Sequence, residues 1–63
     1  MSAPVAAHYR VAYFGVMEHD GRYIVLGFNT DCRPIGEPVG HFDLGVTGML
    51  AALALCSELD GML

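Results

Sequence analysis

From Leu44 to Ser57 the chain carries no charge, and its apolar residues wrap nearly the whole way round a helix. No other feature constrains the fold as strongly. A helix lying on a sheet needs one apolar stripe; a helix apolar on two sides needs cover for both. Val46, Met49, Leu50, Leu53 and Cys56 share one side at i, i+3, i+4 and i+7 spacing, and this bulky side is the expected core side. Leu44, Gly48, Ala51, Ala52, Leu55, Leu59 and Met62 lie opposite. Gly48, Ala52 and Cys56 are small residues four apart, so another backbone could approach closely along that row. A homodimer interface at Gly48, Ala52, Leu55 and Leu59 is the resulting expectation.

The length of 63 residues allows one domain, spanning 1–63. A domain of this size buries only about 60% of the surface its unfolded chain exposes, so outside support is expected. One disulfide, Cys32 to Cys56, is available. The opening MSAPVAAHYR lacks the basic and apolar regions of a signal peptide. Free thiols and a cytoplasmic setting are therefore expected. The apolar run is also shorter than the roughly 20 residues needed to span a bilayer.

Upstream of the helix the pattern is that of strands. Residues 1–7 read as a loose tail and 8–30 as a β-hairpin. Tyr9, Val11, Tyr13, Phe14, Val16 and Met17 are rich in strand-favouring types, and RYIVLGF follows the turn signal His19-Asp20-Gly21. Two registers are open. A two-residue Asp20-Gly21 loop sets His19 opposite Arg22, whereas a three-residue loop with Gly21 left-handed sets Glu18 there. The second is preferred, since it pairs opposite charges. It also gathers Ala12, Phe14, Val16, Ile24, Leu26 and Phe28 on one face to receive the helix. Asn29 to Gly36 reads as a loop, and 38–42 as a short edge strand, because Pro38 cannot donate a ladder hydrogen bond. Asp43 suits the N-cap of a helix over 44–59, with Gly61 at its C′ position. The expected fold is α+β: an antiparallel sheet of two to three strands, a hairpin plus an edge strand, with one C-terminal helix across one face (βββα).

No catalytic constellation emerges, and no cofactor is expected. His8, His19 and His41 are scattered. His41 and Asp43 supply at most half of a zinc site, which usually needs three or four ligands. Cys32 has only Arg33 beside it to lower its thiol pKa. The glycines form no phosphate loop and no Lys is present. Seven Asp and Glu stand against three Arg, a formal net charge of −4. That balance argues against direct nucleic-acid binding and for a protein partner with a basic surface. The tyrosines fit sheet packing or a protein interface. The expected topology places Glu18, Asp20 and Asp43 at the hairpin tip, and Asp31, Glu58 and Asp60 at the other end. Acids at a helix C-terminus forgo a cation worth about 0.3–1 kcal/mol, which a selected binding surface would explain.

Two resemblances follow. The run HYRVAYFGVMEHDGRYIVLGF with the helix segment MLAALAL resembles the antitoxin module of HicB-type systems, although that family has an acidic helix start. The likeness implies neutralisation of a small basic toxin. As a tiny acidic chain of one hairpin and one helix, the protein is also similar in kind to phage-encoded anti-CRISPR inhibitors. That likeness implies a non-enzymatic inhibitor whose carboxylates take the place of DNA phosphates on a CRISPR surveillance complex. DNA carries one charge per roughly 1.7 Å of axis, so acids on a rigid surface could fill a basic channel. A structural subunit of a larger assembly is the third class.

Overall fold

Asp20 and Gly21 both take left-handed backbone angles, φ 52° and 73°. That pair of angles makes a two-residue loop whose twist matches the strands it joins. In the computed structural model, which describes residues 10–63, the hairpin therefore has His19 opposite Arg22. Strand β1 runs Tyr13–His19 and β2 runs Arg22–Phe28. The preferred three-residue register, with Glu18 opposite Arg22, is thus corrected to the two-residue one. An exposed cross-strand charge pair contributes about 0.2–1 kcal/mol at most, too little to override the Asp-Gly turn. The proposed tail at 1–7, along with His8 and Tyr9, lies outside the described residues.

A one-residue slip turns every side chain to the other face. Phe14 and Val16 stand opposite Gly27 and Val25, not on the face of Ile24, Leu26 and Phe28. The strand β2 is apolar on both faces and buried from Ile24 to Phe28, so either face could have taken the helix. It is the central strand of a sheet ordered β1-β2-β3, all antiparallel.

The third strand, β3, covers Pro34–Asp43 and is longer than the expected 38–42. It lies at an edge, where Pro38 leaves no ladder bond unmade. Its pairing jumps from Gly40 opposite Val25 to Ile35 opposite Gly27, so residues 36–39 bulge out of the ladder. Asn29 organises the connection from β2. It is buried, and its Oδ1 accepts hydrogen bonds from the backbone N–H groups of Asp31 (2.9 Å) and Arg33 (3.0 Å). Its own N–H donates to the Arg33 carbonyl oxygen at 2.9 Å.

Helix α1 runs Val46–Asp60. Asp43 does not cap it. Asp43 belongs to β3, opposite Arg22, and the N-cap position is Gly45, without a side-chain cap. Gly61 ends the helix in right-handed, not left-handed, geometry, its N–H donating to the Ser57 carbonyl oxygen at 3.1 Å.

The helix side against the sheet is the small one. Ala52 is fully buried and Cys56 nearly so, packed on Val25 with Phe14, Val16, Tyr23, Phe42, Leu55 and Leu59 around them. The sheet already supplies three aromatic rings to this layer, so the helix fits by presenting small residues. At Gly48 a Cβ would run into the Asp43 carbonyl oxygen. The close-approaching backbone is thus the chain's own. A second cluster, Ile24, Leu26 and Phe28, lies on the opposite sheet face, where the Tyr13 ring stacks on Phe28 with centroids 5.3 Å apart.

Candidate interaction surfaces

Turning Gly48, Ala52, Leu55 and Leu59 inward leaves the bulky side of α1 outward. Val46 is 78% exposed, Leu50 63% and Leu53 50%. They form a stripe at i, i+4 and i+7 spacing on a helix with no charge before Glu58. The expected core side is therefore corrected to an outer side, apart from the buried Cys56 and the half-buried Met49. The expected dimer residues Gly48, Ala52, Leu55 and Leu59 instead belong to the layer between helix and sheet. Beside the stripe is a hollow of about 350 Å³ lined by Tyr23, Gly45, Val46, Met49 and Leu50.

The acidic residues fall at the two expected ends but do not make one surface. At the hairpin tip Glu18 is opposite Tyr23, on the helix face of the sheet. Asp43 is opposite Arg22 on the other face, and Asp20 sits in the turn with Oδ2 3.5 Å from His19 Nε2. Arg22 stands in the ladder between His19 and Asp43, so the tip is mixed in charge. At the other end Asp31 is part of the Asn29 loop. Glu58 is exposed near the end of α1. Asp60 is a structural tie. Its Oδ1 accepts a hydrogen bond from the Phe14 N–H at 2.8 Å, holding the helix end to the outer edge of β1.

Both cysteines are free thiols, Cys32 exposed and Cys56 buried. Burial, then the charge of Asp60, pushes the Cys56 thiol pKa up. The Tyr13 hydroxyl is also held above its ordinary range, chiefly by a side-chain hydrogen bond with Cys32. Among the described residues no group of three or more His, Cys, Asp or Glu is placed to hold a metal ion. No helix among them is long and apolar enough to cross a membrane.

Sequence reasoning missed two groupings. Asn29 is one, because its segment reads only as a polar loop; its burial becomes visible once the chain closes on itself. The other is the set His19, Arg22 and His41, which share a sheet face only through the register of all three strands. Compared with known proteins, no family model matches this chain, no curated protein matches it and no solved structure matches it.

Proposed function

We propose that this chain is a non-enzymatic protein-binding module that acts by occupying a partner's surface. The observation that carries the reading is the outward stripe Val46, Leu50 and Leu53 on a helix uncharged up to Glu58. Three large aliphatic side chains in a row, half or more exposed, cost solubility. A partner groove that removes them from water gains about 25 cal/mol per Å² of apolar surface. Glu18, on the helix face of the tip, and Glu58 beyond the stripe supply charged residues for the rim of an apolar interface core. A fitting partner has an apolar groove flanked by basic groups, as on a nucleic-acid-binding subunit. Occupying that groove blocks the nucleic acid, which is the inhibitor reading, of anti-CRISPR type.

The test places a photo-activated crosslinking residue at Leu53 in bacterial cells producing the protein. One dominant crosslinked protein is expected. It should disappear when Val46 and Leu50 are both changed to Asp while the circular dichroism spectrum is retained. Neutralising Glu18 and Glu58 together should then weaken block of that partner's nucleic-acid binding. Capture of many proteins in proportion to their abundance, unaffected by the Asp changes, would reject the module reading. Capture of a small basic toxin would favour the HicB-like alternative.

A further inference from the structure

The register of the sheet brings two rows of side chains together at the hairpin tip, on the face away from the helix. His19, Arg22 and Asp43 form one row, and Met17, Ile24 and His41 the next. Between them lies a hollow of about 380 Å³ lined by His19, Asp20, Arg22, Ile24, Pro38 and His41. Its size is within the usual range for small-ligand sites, which combine an apolar lining with a few convergent polar groups. Here the buried Ile24 and the half-buried Pro38 supply the apolar part.

We propose that this hollow binds an anionic group, phosphomonoester or carboxylate, carried on a small apolar body. The argument is one of charge placement. The chain has a net charge of −4 and only three Arg, yet a guanidinium and two imidazoles converge on this one depression. A guanidinium presents a planar fork of donors that matches the oxygens of either anion. Each imidazole adds a ring N–H donor. Of the nearby carboxylates, Asp20 lines the hollow but lies toward His19, 3.5 Å from its Nε2. Asp43 faces Arg22 across the ladder without lining the hollow, so it competes with the ligand for the same cation. The apolar body of the ligand would rest on Ile24 and Pro38. The site stands independently of the protein-binding reading, which uses the opposite side of the molecule.

The test is an NMR titration of the full chain near neutral pH with phenyl phosphate, benzoate, inorganic phosphate and benzyl alcohol. Saturable shifts confined to His19, Arg22, Ile24 and His41 are expected with phenyl phosphate or benzoate. The tighter of the two identifies the anion class. Benzyl alcohol, which lacks the charge, and inorganic phosphate, which lacks the apolar body, should both bind more weakly. Arg22→Gln should weaken binding about tenfold or more, the effect of losing a charge-assisted contact. Asp43→Asn should strengthen it. These opposite signs separate a ligand site from a merely structural Arg22. The proposal is overturned if no shift saturates, if benzyl alcohol binds as well as the anions, or if both substitutions move affinity in the same direction.

Discussion

Gly48→Ala is the substitution for which the structure reverses the ordinary expectation. In a solvent-facing helix interior, replacing Gly by Ala stabilises by about 1 kcal/mol, because Gly has more backbone entropy to lose. At position 48 the new Cβ would run into the Asp43 carbonyl oxygen, with the carbonyl carbon at 2.8 Å and the Asp43 nitrogen at 3.4 Å. These are backbone atoms at the end of β3, in register with Arg22, so no side chain can swing aside to make room. Overpacking of this kind costs typically about 1–3 kcal/mol, and a backbone collision falls at the upper end. Subtracting the helix-propensity gain leaves a net loss of about 2 kcal/mol. For a domain this small that lowers the melting temperature by roughly 8–16 °C. Urea and thermal unfolding followed by far-UV circular dichroism would measure it. Gly61→Ala is the matched control. There the nearest atoms are 3.4 and 3.5 Å away and φ is −66°, so a gain of about 0.4–1 kcal/mol is expected. A Gly48→Ala protein as stable as its parent, or more so, would refute the seating of α1 against Asp43.

Three further outcomes are expected. Val25→Ala removes two methyl groups from a fully buried side chain and should cost about 1.5–3 kcal/mol, read from the urea midpoint. Asn29→Ala takes the acceptor from the N–H groups of Asp31 and Arg33 and should cost about 1–3 kcal/mol; hydrogen exchange should speed up across 29–33 and remain slow in the centre of β2. Cys32 should be alkylated well before Cys56 in the native protein, with the difference vanishing in urea. The raised Cys56 pKa also sets a pH dependence. The folded chain holds that proton more tightly than the unfolded one, so its stabilising contribution is complete below the ordinary thiol value of 9.0. It is lost as pH rises through the raised folded value. A flat urea midpoint across the alkaline range would contradict this.

The elements are legible in the residues that make them. Asp20-Gly21 marks the turn, the Val, Ile, Tyr and Phe of the flanking runs mark the strands, and Pro38 marks an edge. The uncharged run from Leu44 marks the helix. Each signal is local, set by backbone angles or side-chain shape within a few residues. The register is misread when one favourable charge pair is weighed above the turn geometry of Asp-Gly. The acid positions at the two ends follow from chain order, whereas their roles do not. Asp43 reads as a cap by its place before the helix, and Asp60 as a free surface acid. The β3 ladder claims the first, and the Phe14 N–H claims the second.

The sequence by itself determined the order βββα, the antiparallel sheet, the edge position of β3 and the two-sided apolar character of both β2 and α1. Which face of β2 meets which side of α1 was decided only by the tertiary structure. Two apolar faces on the strand and two on the helix permit four pairings that periodicity cannot distinguish. The aromatic rings of Phe14, Tyr23 and Phe42 fill the layer from the sheet side, so the close-packed solution seats Ala52 and Cys56 on Val25. Val46, Leu50 and Leu53 are thereby left outside. Packing volume, which depends on residues far apart in the chain, made that choice.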